Sequence, residues 1–550
     1  MKLLNKMMAL QAQHGAVTDD LLRGLAHAEG VPLYRLEGLR GFYPMFKAAP
    51  GAGTQVHVCR DMVCRMRGGA DYCDRVEAGL AGDPGVEVHR VSCVGRCDHA
   101  PAASINEVPV AGDADTIVAY AKGREPLSQW PDPEPRQWPT DPYADHGARY
   151  GLLKRMVTAA GDGEAERDQI VQTLKDVNLR GLGGAAFPTG MKWDFTRKAK
   201  GETKYVICNA DESEPGTFKD RMLLEELPHL IIEAMALGGW VIGASKGIIY
   251  IRHEYGPETR ALNRAIEAAY AAGALGDDLF GSGFCFHLET FVSPGGYILG
   301  EETALLEALE DKRGEPRNKP PFPTNVGLWG QPTLMNNVET FAAIPVILER
   351  GAQWWADQGL GDYQGLKYTC VSGDVAKPGV YCIPWGTTVA DLLERCGGVP
   401  NGRRLQAFSP GGASTNFLPA AKADTAMDFD ALAKAGSALG TAAMVYLDET
   451  RDLVDLALQQ VRFFRNESCG KCVPCRVGSH KAVEMVEQQR NGGAANSHGS
   501  DQTAFLKELH QTLAKTSICG LGQVAMAPLV SVIDHFPDDP GVTRLRGATP

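Results

Sequence analysis

Eight cysteines fall in two patterns that could do redox chemistry. Cys469, Cys472 and Cys475 follow C-x2-C-x2-C, and Cys519 returns far downstream in Ser517-Ile518-Cys519-Gly520. Closely spaced thiolates can reach three irons of one cube, and the fourth iron takes its ligand from elsewhere in the fold, so this pattern suits a [4Fe–4S] cluster. Zinc sites usually pair one C-x2-C with a second or with histidines, and neither is so placed here. Four unrelated buried cysteines are the remaining alternative. The second set is Cys59 and Cys64 at C-x4-C with Cys93 and Cys97 at C-x3-C. Four thiolates on two irons make a [2Fe–2S] centre, with zinc as the competitor. Cys73 falls in a helical stretch and reads as a small buried hydrophobe. Cys370, Cys382 and Cys396 likewise read as packing residues.

The elements that must hold these thiols follow from periodicity. Residues 55–58 alternate like a strand that ends at Cys59, and residues 86–91 form a second strand ahead of Cys93. Both pairs are therefore expected in loops just after two neighbouring strands. Upstream, Leu4, Met7, Met8 and Leu10 recur at helical spacing, and Thr18 is a candidate N-cap before Leu21, Leu22 and Leu25. These short helices read as a small bundle without chemistry. Near the other end, Leu453, Leu456, Ala457 and Val461 give a helix leading into the cubane stretch. Residues 491–502, rich in Gly, Ser and Asn, read as a loop that lets Cys519 return on a separate helix.

The middle of the chain has the richest loops. A helical stripe of Ile170, Val171, Leu174 and Val177 precedes Arg180-Gly181-Leu182-Gly183-Gly184-Ala185-Ala186-Phe187. A Rossmann fingerprint must follow a strand, and a P-loop must end in Gly-Lys-Ser/Thr, so this is neither. It is a bare backbone that can approach a phosphate or ring closely, with Lys192 as a candidate phosphate partner. Residues 204–208 read as a buried strand running into Asn209-Ala210-Asp211-Glu212-Ser213-Glu214. Strand C-termini are where open α/β sheets hold ligands, and this loop offers acceptors for ribityl or ribose hydroxyls; a solvated acidic turn is the alternative.

Composition bounds the rest. A chain of 550 residues suggests three or four domains, and 44% apolar content can fill their cores. The formal charge of −12 argues against nucleic acid as a partner. No apolar run is long enough to span a bilayer, so no direct membrane insertion is expected. Fourteen cysteines without a recognisable leader fit a reducing, cytoplasmic setting. Six prolines crowd residues 125–147, an extended linker that Trp130 and Trp138 would pin to a surface.

These motifs resemble a known family. Residues 1–125, with Gly41-Phe42-Tyr43-Pro44-Met45-Phe46 and the first cysteine set, resemble the 24-kDa-type subunit of respiratory complex I. The loops of 149–350, with Gly295-Gly296-Tyr297 through Glu301-Glu302-Thr303, Lys319-Pro320-Pro321-Phe322 and Asn336-Asn337, are similar to its 51-kDa-type flavoprotein. The resemblance implies a multidomain α/β and α+β chain: a helical lead-in over 1–50, a thioredoxin-like [2Fe–2S] domain over 51–125 and a Pro-rich linker over 126–148. A Rossmann-like FMN/NADH domain over 149–355, a ubiquitin-like β-grasp (SLBB) domain over 356–440 and a helical [4Fe–4S] domain over 441–550 complete it. It further implies that Gly181, Gly183, Lys192, Asn209, Asp211, Ser213, Gly300, Asn336 and Asn337 hold FMN. Phe187, Phe195, Glu214, Tyr297, Glu301, Glu302 and Phe322 would shape the NAD(H) pocket. Leu182 stands where complex I usually has arginine, and Ala186 where it usually has glycine. Leu182 would remove a fixed charge near the flavin, and Ala186 would add a methyl where backbone approach is close.

The implied function is electron exchange. A nicotinamide nucleotide passes hydride, clusters pass single electrons, and FMN does both, so the carboxylates Glu301 and Glu302 would bind or tune rather than act as acids. The fusion resembles the diaphorase subunits of NAD-dependent formate dehydrogenases, whose partners would be a Mo/W catalytic alpha subunit with further clusters and a small gamma subunit. The diaphorase of an NAD-reducing [NiFe] hydrogenase and an ordinary complex I subunit are the alternatives. A flavin-free electron-transfer scaffold, with Ala186 blocking FMN, is an alternative of another class.

Overall fold

The computed structural model describes residues 2–130, 136–143, 145–490 and 501–547. Residues 131–135 of the proline-rich linker and residues 491–500 of the Gly/Ser/Asn-rich loop lie outside the described residues.

Three helices open the chain, Lys2–His14, Asp19–Glu29 and Leu33–Phe42. Thr18 caps the second, its Oγ1 accepting from Leu21 N at 3.4 Å. The helices do not form a bundle of their own. Leu4, Met7, Val17, Leu36 and Tyr43 are buried in the same core as the central domain. Leu4 N donates to Asp311 Oδ1 at 2.9 Å and Tyr43 OH to Lys312 O at 2.6 Å. Each such fully buried aliphatic contributes about 1.5–3 kcal/mol, which a few short helices could not obtain by packing on one another alone.

The first sheet joins β1 (Thr54–Cys59), β2 (Val86–Val91), β3 (Ala103–Ile105) and β4 (Val108–Val110) in the order β2-β1-β3-β4. β1 and β2 are parallel, with Cys59 opposite Val91. Val56 and Val58 face a small separate core with Tyr72, Val76, Ile105 and Ile117.

The central sheet comprises β5 (Tyr205–Ala210), β6 (Lys246–Ile251), β7 (His287–Val292) and β8 (Thr333–Asn337), all parallel, in the order β7-β6-β5-β8. Residues 206–208 of β5 and 248–251 of β6 are apolar and buried, as helix-covered parallel strands are. One of these, Pro228–Ile242, is buried along nearly its whole length. All strand C-termini therefore open on one end of the sheet, and the loops that follow them gather there.

A third sheet holds β9 (Leu366–Gly373), β10 (Gly379–Pro384), β11 (Leu405–Ser409), β12 (Leu418–Pro419) and β13 (Ala443–Asp448), in the order β10-β9-β13-β11-β12. Helix Val389–Arg395 crosses it behind a Thr388–Asp391 capping box. This sheet docks on the central domain through buried charge. Glu339 accepts from Lys367 Nζ at 2.5 Å and Tyr368 N at 2.9 Å, and Lys219 Nζ lies 3.0 Å away. Losing one member would strand a buried charge, at a cost of about 3–5 kcal/mol.

The chain ends in helices Leu453–Asn466, Val473–Arg490, Thr503–Thr516, Gly520–Val524, Ala527–His535 and Pro540–Leu545. No helix among the described residues is long and apolar enough to cross a membrane.

Candidate functional site: a flavin cradle between two thiol clusters

The glycine loop is built by backbone closure. Arg180 and Pro188 form an isolated bridge, Gly181 N donates to Phe187 O at 2.9 Å, and Arg180 Nε donates to Ala186 O at 3.0 Å. Ala186 has φ +56°, the left-handed region where glycine would be unstrained and a methyl costs about 1 kcal/mol. Leu182 is 2% exposed, and its N–H donates to Thr340 Oγ1 at 2.8 Å. An arginine side chain here would need a desolvated partner; leucine needs none.

The loop lies against the end of β8. A Cβ on Gly183 would meet Asn337 Cβ at 2.8 Å, so only glycine permits this approach. Asn337 caps helix Val338–Arg350 through Glu339 N and donates to Asp220 Oδ2 at 2.6 Å. Its neighbour Asn336 is buried, with Nδ2 lacking any hydrogen-bond partner. Lys192 Nζ donates to Met335 O at 2.9 Å; burial pulls its pKa down, with Glu302 and Lys319 the neighbouring charges. At the end of β5, Asn209 Nδ2 donates to Gly300 O at 2.8 Å, and Ser213 Oγ donates to Asp211 Oδ1. Burial pushes the Asp211 carboxyl up to about 6 and the Glu214 carboxyl up to about 7. A bare glycine backbone, an unpartnered buried amide and a deep lysine are the donor set that a flavin ring with a ribityl phosphate fits.

The residues expected at the nucleotide pocket are placed less uniformly. Phe187, Phe195 and Phe322 are 41%, 45% and 52% exposed, unusually open for phenylalanine, and the Phe187 and Phe195 rings lie 6.4 Å apart. Glu301 caps helix Glu302–Leu309 through Thr303 N and Ala304 N, both at 2.9 Å, and shares Lys319 with Glu302. Glu214 accepts from Ser414 N of the third domain at 2.7 Å. Tyr297 is wedged between Glu214 and the C-terminal helices, its ring 4.9 Å from Phe463 and 6.1 Å from Phe464.

The first thiol set gathers where β1 and β2 end. Cys93 Sγ lies 3.4 Å from Cys97 Sγ, near the roughly 3.7 Å that two sulfurs keep on one tetrahedral metal. Cys59 lies beside both Cys64 and Cys93, and all four thiols are buried. The expectation that all four stand in loops needs correction. Cys59 ends β1, as its strand pattern predicts, but Cys64 lies inside helix Met62–Met66 and Cys97 opens the single 3-10 turn Cys97–His99. Asp61 Oδ2 fixes the Cys93 loop by accepting its N–H at 2.8 Å.

The second thiol set lies at the start of helix Val473–Arg490. Ser468 Oγ is 3.2 Å from Cys475 Sγ, and Lys471 Nζ reaches Pro316 O at 2.6 Å. Cys519 is not on a helix, as its sequence context suggested, but N-caps Gly520–Val524. There burial pushes its thiol up to about 11. A Cβ on Gly522 would stand 2.9 Å from Cys475 Cβ, so glycine lets the ligand from the far segment close on the triplet. Four sulfurs from two segments suit a cubane.

Both thiol loops are tied to the central domain by residues that sequence reasoning missed. Arg252 donates to Cys93 O at 2.8 Å and to Glu212 O at 2.6 Å; Arg221 donates to Gly95 O at 2.6 Å and pairs with Asp98. Glu467 accepts from Tyr297 N at 2.9 Å. The charged run Lys219-Asp220-Arg221, which is wholly buried, was the available signal; Arg252 ends an apolar strand and offered little. The linker tryptophans behave as expected. Trp130 stacks on His99 at 4.8 Å, and Trp138 Nε1 donates to Glu226 Oε2 at 2.7 Å.

Comparison with known proteins agrees with this division. Residues 1–117 match the thioredoxin-like [2Fe–2S] ferredoxin family, 174–346 the Nuo51 FMN-binding domain and 368–417 the SLBB domain. Residues 455–541 match the NADH-ubiquinone oxidoreductase-F iron–sulfur binding region. The chain is 44% identical over 395 residues to the second F-type subunit of NADH-quinone oxidoreductase from Rhizobium meliloti (strain 1021), covering 71% of this chain and 91% of that one. It is 40% identical over 372 residues to the NADP-reducing hydrogenase subunit HndC of Solidesulfovibrio fructosivorans, covering 68% and 75%. A chain in the crystal structure of an H2-reduced, NAD+-reducing [NiFe]-hydrogenase superposes with a TM-score of 0.87 at 32% identity, covering 98% of this chain and 92% of that one. The chain belongs to the family of F-type subunits of NADH-quinone oxidoreductase, with an FMN-binding domain flanked by a thioredoxin-like [2Fe–2S] domain and a [4Fe–4S] domain.

Proposed function

We propose that this chain is the diaphorase subunit of a cytoplasmic NAD-dependent formate dehydrogenase. In this reading Gly181, Gly183, Lys192, Asn209, Asp211, Ser213, Gly300, Asn336 and Asn337 hold FMN. Phe187, Phe195, Glu214, Tyr297, Glu301, Glu302 and Phe322 form the NAD(H) pocket. Cys469, Cys472, Cys475 and Cys519 hold the cubane, and Cys59, Cys64, Cys93 and Cys97 the binuclear cluster. A Mo/W alpha subunit with its own clusters, and a small gamma subunit, complete a formate:NAD+ oxidoreductase.

Bound FMN supplies the exchange between hydride and single electrons. The chain supplies position. The Gly181–Phe187 closure and Gly183 present bare backbone, and Asn336 Nδ2 offers a buried donor. The exposed Phe187, Phe195 and Phe322 offer stacking faces. The Glu301 and Glu302 carboxylates are engaged by Lys319, with Glu301 also capping a helix, so they orient rather than transfer protons.

The observation that carries the diaphorase reading is the double tie at one end of the sheet. Arg252 bridges Glu212 O to Cys93 O, while Glu467, two residues before Cys469, grips Tyr297 N. These bonds tie the loop after β5 to one cluster loop, and the loop of Tyr297 to the other. The formate dehydrogenase assignment rests on the wording of Arg180-Gly181-Leu182-Gly183-Gly184 and Ser517-Ile518-Cys519-Gly520-Leu521-Gly522. A second reading, the diaphorase of an NAD-reducing [NiFe] hydrogenase, is favoured by the superposition over 98% of this chain. Metal analysis of the native complex separates them. Molybdenum or tungsten with formate-dependent NAD+ reduction is expected; nickel with neither would overturn the formate reading.

A further inference from the structure

The far end of the central sheet carries a second set of metal-class donors, unconnected with the flavin loops. β7 is the edge strand, and its first residue, His287, pairs with Lys246 at the start of β6, so this is the end opposite the strand C-termini. Just before it, Gly276 and Phe286 form an isolated antiparallel bridge and exchange both backbone hydrogen bonds at 2.9 Å. The turn between them is closed by Leu279 N donating to Phe284 O at 2.8 Å and Gly283 N to Asp278 Oδ1 at 2.7 Å.

This closure sets three side chains together. Phe286 is fully buried, so by the two-residue period of extended chain Cys285 and His287 share the opposite face. Asp277, next to Gly276 across the bridge, joins them. The Cys285 thiol, a His287 ring nitrogen and an Asp277 carboxylate oxygen all lie within 4.8 Å of one another. His287 Nε2 is 3.0 Å from Asp277 Oδ1. Its other nitrogen, Nδ1, is 3.3 Å from Tyr270 OH, and that hydroxyl is itself fixed by accepting from Leu288 N at 3.1 Å. In the tautomer whose Nδ1–H donates to that hydroxyl, Nε2 keeps its lone pair towards the thiol and carboxylate, which is how outer partners orient a metal-binding histidine.

A surface His–Asp pair would explain the nitrogen and the oxygen but gives the thiol no role. Sulfur, imidazole and carboxylate converging on one point suit a borderline-soft divalent ion. Tetrahedral bonds of about 2.0–2.3 Å separate donors by roughly 3.3–3.8 Å, so closing from the present spread asks only for side-chain rotation. We propose that Asp277, Cys285 and His287 form a three-ligand site for a zinc-class ion, with water in the fourth position, that clips the 276–286 turn to the sheet edge.

Holoprotein is freed of loosely bound metal by mild chelation and then titrated with Zn2+ or Co2+. We expect one zinc equivalent per chain beyond the iron, and with cobalt a thiolate charge-transfer band in the difference spectrum. Cys285→Ser and His287→Ala should each weaken zinc binding about tenfold or more, with FMN, iron and NADH–ferricyanide activity unchanged. Absence of the zinc equivalent in the unmodified protein, or its retention at unchanged affinity in either variant, would overturn the proposal.

Discussion

Gly183→Ala probes the proposed flavin cradle where the glycine loop meets β8. The new methyl would stand 2.8 Å from Asn337 Cβ and 3.2 Å from its Cγ, against a normal carbon contact of about 3.5–4.0 Å. Asn337 has little freedom to yield. Its Oδ1 accepts from Glu339 N at 2.9 Å, and its Nδ2 donates to Asp220 at 2.6 Å. Breaking the cap costs about 0.5–2 kcal/mol and losing a hydrogen bond to a charged group about 1.5–3 kcal/mol. Moving the glycine loop instead costs the usual overpacking penalty of about 1–3 kcal/mol, so the loop should move. If that displacement is paid in cofactor binding, FMN affinity falls about 5- to 150-fold. The assay is fluorescence titration of deflavinated protein, with iron per chain as the check on folding. Gly24→Ala is the control, because a Cβ there meets nothing within 4 Å. Unchanged FMN affinity in Gly183→Ala, with iron intact, would refute the reasoning.

Phe322→Ala removes an open aromatic face and should raise the KM for NADH more than it lowers FMN content, because lost stacking is uniform binding; lost flavin at unchanged KM would contradict the assignment. Burial holds the Glu214 carboxyl up at about 7, so it gains charge as pH rises through 7 and should repel the anionic nucleotide. KM for NADH should therefore rise across that range and flatten in Glu214→Gln; parallel pH profiles would contradict this. The same raised value means a stability contribution present below the ordinary carboxyl pKa and lost as pH rises through about 7. Glu214→Gln should thus gain in Tm relative to the parent at about pH 8 more than at about pH 5.

Local chemistry was legible in the sequence because it is local. Thr18 caps its helix, β1 ends at Cys59, and the loop after β5 lies at the sheet's open end, all from short-range pattern. A helix, Glu164–Asp176, precedes the glycine loop, as the apolar stripe required. What periodicity could not show is how separate segments grip one another. Cys519 closes on Cys475 because Gly522 admits the approach, and the two thiols are separated in sequence by most of helix Val473–Arg490 and by helix Thr503–Thr516. Arg252 looks like an ordinary charge until the carbonyls of Cys93 and Glu212 are found on it. Lys367 is buried in β9, and its partner Glu339 lies in another domain, a pairing that no local pattern shows. The opening helices have the pattern of a bundle because amphipathicity says which face is buried and not what buries it.

The central claim is a division of labour: NADH meets the flavin domain, and single electrons leave through the cubane. Cys519→Ser tests it most directly, since serine oxygen is a harder, poorer ligand for a cluster iron and changes no residue of the flavin cradle. With FMN content verified in the same sample, NADH should still bleach the flavin in stopped flow, and NADH–ferricyanide activity should largely survive. NAD+ reduction driven by the partner subunit's substrate should collapse. Coupled turnover that persists with the cubane demonstrably absent would contradict the account.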